Sequence, residues 1–320
     1  MDTASHTLFG LTLAGLAHLH PAVAHDPQLA VCAGIAVVLG SNAPDFDAVA
    51  RIGGSAAYVK HHRGLSHSLP ALLIWPALLG LPLAAWFGEW GHAPLLYAWT
   101  LLAVVFHVLL DLFNVYGVQC LRPFSRTWLH LDTLCLYEPF LFALHGGGLA
   151  VWALGGAQPG PMFAVIYGVT ALYAAIRSVQ RRQLVRLVQR ELGQTGVCHV
   201  IPGLSWRRWQ FVLETAASFY TGEIRSAKLR VQSVYPKAPD HPIIQATRGI
   251  DGVTAFLQFA QRVHVRWTER PDGCEVQWRD VRFWHGDQLP FGVDVVLDRN
   301  LNVVSQSVGW RKRAWDPPYV

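Results

Sequence analysis

The chain has 320 residues, 52% of them hydrophobic and only 15% charged, with a formal net charge of +5. It is too apolar for an ordinary soluble protein and too uneven along its length for one domain. The positive excess does not point to nucleic acid, because much of it is a local cluster beside an apolar segment, where a topology signal accounts for it.

Crossing the hydrocarbon core takes roughly 20 apolar residues. In chain order, residues 8–23 and 29–43 form an apolar hairpin around His20-Pro21 and Asp26-Pro27. Each run is short, so the pair reads either as two spans or as a partly re-entrant element. Residues 68–87, 93–117 and 161–179 meet the length, and 138–155 comes close. The expectation is a mainly α integral membrane helical bundle of five or six membrane helices. Residues 177–192 continue the last helix out of the bilayer, with Leu184, Val185, Leu187 and Val188 as an apolar stripe.

Beyond Gly193 the pattern changes. Residues 206–219 and 223–235 suggest a hairpin around Tyr220-Thr221-Gly222, and 254–263 a short helix. Residues 274–284, 293–297 and 301–308 read as strands separated by Pro271-Asp272-Gly273 and Asp298-Arg299-Asn300. The expected organisation is a membrane-embedded domain over 1–180, a juxtamembrane linker over 181–204, and a small cytoplasmic α+β domain with an antiparallel sheet over 205–320.

Orientation follows from the basic loops. Arg51, Lys60 and Arg63 lie between the second and third runs, Arg122 and Arg126 after the fourth, and Arg177, Arg181, Arg182, Arg186 and Arg190 at the end of the last. The loops around 22–28, 88–92 and 146–160 have neither Lys nor Arg. Every second loop is basic and is assigned to the cytoplasm, which puts the C-terminal part there too. The five cysteines are scattered without metal or redox spacing and read as reduced and structural. The N-terminus has no basic n-region or cleavage site of a signal peptide.

With this topology the candidate ligands gather at one face. His107 and Asp111 sit inside an apolar run, where an ionisable pair is costly and marks a functional candidate. Their i, i+4 spacing puts both on one helical face; the competing reading is a hydrogen-bonded pair that only locks helix packing. Asp45 and Asp47, in Asn42-Ala43-Pro44-Asp45-Phe46-Asp47, can turn towards one cation or cap a following helix. His61-His62-Arg63-Gly64-Leu65-Ser66-His67-Ser68 puts three histidines and an arginine directly before a span. Imidazole is a common metal ligand and Arg63 suits bidentate contact with a phosphate or carboxylate oxygen. His18, His20, His25, His92 and His145 are left out of the site.

Together, Met1-Asp2…His6, Pro44-Asp45-Phe46-Asp47, His62-Arg63-Gly64-Leu65-Ser66-His67-Ser68 and His107…Asp111 with Tyr116-Gly117 and Pro123-Phe124-Ser125 resemble the YdjM-like family of bacterial inner-membrane proteins, described as metal-dependent hydrolases. The resemblance covers the chain to about Pro139 with ordered motifs and extends more loosely into the C-terminal domain; the family's usual Asp-Pro is Glu138-Pro139 here. More remotely, the order of ligands looks like the zinc-dependent phospholipase C and zinc-nuclease superfamily. These resemblances imply two or three zinc ions held by His6, Asp45, Asp47, His62, His67, His107, Asp111 and Glu138, with Asp45 and Arg63 taking part in catalysis and no side chain acting as nucleophile. They also imply a multi-pass protein of the bacterial inner membrane and, as substrate, a phospholipid or another membrane-associated phosphoester. Two other readings stand beside the hydrolase: a membrane-anchored binding or regulatory protein with a structural metal, and a metal or proton transporter.

Overall fold

The computed structural model describes residues 1–238 and 240–311. It divides into two compact units, Met1–Ala48 with His62–Gln180, and Val49–His61 with the chain from Arg181 onward.

The first unit is helical. α1 (Thr3–Leu16) starts where the Asp2 carboxylate accepts the Ser5 N–H at 3.0 Å. The short α2 (Pro21–His25) leads to α3 (Pro27–Gly40), whose first turn is capped by Asp26 and opened by proline. A proline at the first helical position loses no hydrogen bond and has φ already set for the helix. α3 is followed by a 3₁₀ segment, Ala43–Gly53, bent by 43° from it; α4 (Ser55–His61) belongs to the second unit. Three helices then begin on Pro70, Pro94 and Pro139: α5 (Leu69–Trp86), α6 (Ala93–Leu112) and α7 (Pro139–Ala153). α8 (Pro159–Leu192) has 34 residues.

By length and composition, Leu69–Trp86, Trp90–Leu112 and Pro159–Leu192 are able to cross a membrane, and the bent pair Pro27–Gly40 with Ala43–Gly53 makes a fourth. Length and composition thus support three such helices, or four with the bent pair as one span, where five or six are expected from the sequence, and α7 is a shorter apolar helix. At a rise of about 1.5 Å per residue, α1 and α7 are shorter than the roughly 30 Å core, because caps and proline cut their apolar runs to 14 and 15 residues.

α1 and α3 meet closely at Gly10, where a side chain would overlap the Ser41 hydroxyl at the end of α3. One core cluster of this unit combines Met1, Phe9, Leu110, Leu134, Leu141 and Tyr173. A buried polar chain also joins α1, α7 and α8: His145 lies 2.8 Å from both the Thr12 and Thr170 hydroxyls.

The second unit contains two four-stranded antiparallel sheets, each ordered as in sequence. The first has β1 (Val197–Pro202), β2 (Arg208–Glu214), β3 (Ser218–Arg225) and β4 (Lys228–Pro236). The second has β5 (Val263–Arg270), β6 (Gly273–Asp280), β7 (Phe291–Asp298) and β8 (Val303–Trp310), preceded by α9 (Pro242–Thr247) and α10 (Asp251–Phe259). α8 contributes Leu184 and Val188 to a core with Val200, Trp209, Phe211, Leu213 and Ile224.

The hairpin expected around Tyr220-Thr221-Gly222 is corrected: these residues lie inside β3, and the turn falls at Ser226-Ala227. Gly222 is there for close approach, since a Cβ would meet the Arg230 carbonyl and the Phe211 ring. Ser226 and Ala227 both have positive φ, 49° and 63°, without the Asn-Gly sequence that usually marks such a turn.

Candidate metal centre

α6 sets the floor of the site. The spacing of His107 and Asp111 points both side chains to the same side one turn apart, and both are almost wholly buried. His107 Nδ1 lies 2.7 Å from the Ser41 carbonyl, to which it donates, and this leaves the Nε2 lone pair free. The close α1–α3 contact at Gly10 holds Ser41 where it receives that bond. Such an outer partner sets the tautomer and aim of a ligating imidazole.

His67 ends the short 3₁₀ turn Leu65–His67. Its Nδ1 is 2.9 Å from the Ser66 hydroxyl, and its Nε2 is 3.3 Å from His107 Nε2. Burial holds the His67 imidazole below the ordinary histidine value, which favours the neutral, ligating form. Asp111 Oδ2 lies 3.3 Å from His67 Nε2 and 3.5 Å from His107 Nε2; Asp45 Oδ1 lies 3.7 and 3.6 Å from the same atoms. Asp45, His67, His107 and Asp111 thus offer four donor atoms within 4.8 Å of one another. Asp45 Oδ1 and Asp111 Oδ2 are buried with no hydrogen-bond partner among the described residues. Buried carboxylate oxygens left in this way are costly, and a divalent cation at their centre satisfies both together with the two imidazoles. Two nitrogens with two oxygens is a donor set suited to zinc.

A second group, Asp45 with Asp47 and His62, adjoins the first and shares Asp45 with it. His62 Nδ1 is 2.6 Å from Asp47 Oδ1, while Asp47 Oδ2 accepts from the Arg63 backbone N–H at 2.9 Å and from the Ser66 hydroxyl. The Arg63 backbone has φ 59°, a left-handed conformation unusual for a side-chain-bearing residue and common where a functional loop is held in place. Side-chain exposure is 0% for His67, His107 and Asp111 but 17%, 12% and 21% for Asp45, Asp47 and His62. The second group is therefore the accessible side of the cluster.

On the other side of Asp111 stand three groups. His6 Nε2 is 3.3 Å from Asp111 Oδ1, and the His6 ring stacks on His107 with centroids 3.7 Å apart. The Met1 amino group pairs with Asp111 and lies 3.0 Å from His6 Nε2. Arg63 reaches Asp111 at 3.1 Å, donates to Asn114 at 3.1 Å and to the Met1 carbonyl at 3.4 Å. The buried Arg63 guanidinium is thus engaged with Asp111 and Asn114, where contact with a substrate oxygen is expected from the sequence.

Glu138 is not brought into the cluster. One oxygen accepts the Cys135 N–H at 2.7 Å and the other the Tyr173 hydroxyl at 2.8 Å, so the carboxylate ties the start of α7 to α8. His61 falls in the second unit. Sequence reasoning missed the Ser41 carbonyl, Ser66, Asn114 and the Met1 amine. Of these only Asn114, three residues after Asp111 and just past the end of α6, carried a spacing signal.

Residues 1–184 match the family model described as YdjM inner membrane protein, and residues 242–314 match that of the YfhP C-terminal alpha/beta plait domain. A curated relative, the uncharacterized protein YfhP of Bacillus subtilis (strain 168), is 32% identical over 313 residues, covering 97% of this chain and 95% of that protein. No solved structure matches.

Proposed function

We propose that this chain, which belongs to the YdjM inner membrane protein family, is a multi-pass, metal-dependent hydrolase with its site at the cytoplasmic face of the membrane. The observation that carries this reading is the convergence of Asp45, His67, His107 and Asp111, with two carboxylate oxygens buried and lacking partners. Zinc fits the donor set, and the adjoining Asp45–Asp47–His62 group suits a second ion with Asp45 between them. Bound there, such ions would supply Lewis acidity, an acidified water and charge to offset that on phosphoryl oxygens.

The protein's own residues then divide the work. His67, His107 and Asp111 hold the inner position, while Asp45, Asp47 and His62 line the exposed side on which a substrate arrives. Arg63 acts as a positioning residue: it balances the Asp111 charge and, through its backbone N–H, orients Asp47. A phosphoester of a membrane lipid is the substrate class we favour, since exposed apolar Phe46 stands between Asp45 and Asp47 and exposed Leu65 precedes Ser66.

A second reading has an observation in its favour. The inner four donors are enough to close a tetrahedron, and closed sites are the structural kind. In that case the protein is a membrane-anchored binding protein with a stabilising metal. Metal analysis of detergent-purified protein, with His107→Ala and Asp111→Ala alongside, tests the site: stoichiometric metal in wild type and its loss in both variants is expected. Hydrolysis of bis(p-nitrophenyl) phosphate by metal-loaded wild type, lost in a folded Asp47→Asn variant that keeps the inner metal, separates enzyme from scaffold. A folded wild type without metal overturns both readings.

A further inference from the structure

The second unit contains a cavity of about 340 Å³ where α9 and α10 meet β5 and β6. Its apolar lining is Ile244 from α9, Leu257 from α10, Val263 and Val265 from β5 and Trp278 from β6. The Trp278 indole N–H donates to the Thr247 hydroxyl at 3.0 Å, which donates in turn to the Ile244 carbonyl at 2.8 Å. The ring is thereby fixed, and no polar atom of it is left wanting a partner in the cavity.

Three charged residues line the same space: Lys237, Asp240 and Arg248. Lys237 is committed to Glu214 at 2.7 Å, and Asp240 accepts from Gln245. Arg248 differs. Its guanidinium lies over the Trp278 ring, 5.9 Å from the centroid, and has no carboxylate partner among the described residues. With Lys237 held by Glu214 and Asp240 accepting from Gln245, Arg248 is the cation of this lining left to meet an incoming charge.

The geometry points to a binding site in this cavity for a small amphipathic monoanion, an aromatic or branched carboxylate whose apolar body packs on Trp278, Val265 and Leu257 while its charge meets Arg248. The volume falls at the lower end of the range for small-molecule sites and holds roughly eleven waters' worth of matter. That suits one ring with a short acid side chain and excludes a nucleotide. An apolar pocket with a single convergent charged group is the usual form of such a site, in which packing supplies affinity and the charge supplies orientation.

The test uses the full chain in lipid nanodiscs, with 3-phenylpropionate as probe and its uncharged amide as comparison, followed by saturation-transfer NMR and calorimetry against empty nanodiscs. Binding of one 3-phenylpropionate per chain is expected, weakened tenfold or more by Arg248→Gln and in the amide, and unchanged by His107→Ala. Arg248 is exposed, so its replacement leaves the fold intact. Val265→Trp, which fills the cavity, should abolish binding in protein whose far-ultraviolet circular dichroism is unchanged. Absence of binding to wild type above empty nanodiscs, or binding indifferent to both Arg248→Gln and Val265→Trp, overturns the assignment.

Discussion

His67 Nε2 and His107 Nε2 stand 3.3 Å apart although 40 residues separate them in the chain, and each ring's other nitrogen has its own hydrogen-bond partner. The two remaining nitrogens face each other, with Asp111 Oδ2 and Asp45 Oδ1 beside them. Two lone pairs at that distance repel unless a proton or a cation lies between, and the orphaned oxygens of Asp45 and Asp111 favour the cation. His67→Ala should therefore lower zinc affinity by more than a hundredfold in competition with a chromogenic chelator. Ser66→Ala leaves every ligand in place but removes the hydroxyl that meets His67 Nδ1 and donates to Asp47, and should cost ten- to a hundredfold. Equal affinities for Ser66→Ala and wild type would show that the outer hydrogen bond does not orient the ligand.

The two groups sharing Asp45 lead to a count. Asp47→Asn weakens the outer group, Asp45 with Asp47 and His62, while leaving all four inner donors in place. We expect two equivalents of metal in wild type and one in the variant, the remaining one lost on further substitution of His107. A single equivalent in both proteins would mean that the outer group binds no ion.

Glu138 fastens α7, the preceding loop and α8 together through two hydrogen bonds, outside the Asp45–His67–His107–Asp111 group. Glu138→Ala leaves the Cys135 N–H and the Tyr173 hydroxyl without this acceptor, at a cost of roughly 2 kcal/mol or more. Glu138→Gln keeps one acceptor and should lose less. Thermal unfolding in detergent should fall in that order with metal stoichiometry unchanged; loss of metal in Glu138→Gln would restore it to the ligand set.

The grouping was legible in the sequence because imidazoles and carboxylates in apolar runs are expensive and so conspicuous: His107, Asp111, His67 and Asp45 come together, and Asp47 and His62 join Asp45 in an adjoining group. The two hydrogen bonds of Glu138 were not legible, because a buried carboxylate at a helix start looks the same whether it holds a metal or two hydrogen-bond donors. The Ser41 carbonyl was invisible, since every residue has one and only the close packing at Gly10 selects it. Helix ends were blurred for a related reason: apolar composition runs on past the prolines and caps that stop the backbone. The β3–β4 turn escaped because Ser226 and Ala227 carry no turn signature.

That turn is itself testable. Ser226 and Ala227 sit at positive φ, where residues with a Cβ are disfavoured and Asn-Gly is at ease. Replacing the pair by Asn-Gly should stabilise the chain by about 0.5–1 kcal/mol. The readout is the denaturant midpoint of the full chain, and a lower midpoint would contradict the backbone conformation described.

The side of the membrane on which the chain from Arg181 lies turns on α7. If α5, α6 and α8 alone cross, the start of α5 and the end of α8 fall on opposite sides, separating the basic loop at Arg51 and Lys60 from Arg182, Arg186 and Arg190. The packing of α7 on α8 argues otherwise. Glu138 bonds to Tyr173, His145 to Thr170, and Gly148 has room only because Ile166 and Phe163 fill the space of its missing side chain. These pairs run antiparallel, so α7 lies alongside the first half of α8, and the expectation under test is that it crosses with it despite its 15 residues. A slightly thinned or locally adapted bilayer absorbs the shortfall at a modest cost per ångström. In a variant lacking the native cysteines, single cysteines at Trp90 and Leu154, both exposed, should react with an impermeant maleimide in intact cells. A cysteine at Arg186 should react only after permeabilisation. Labelling of the Arg186→Cys variant from outside would place α7 on the membrane surface and undo the cytoplasmic assignment of the second unit.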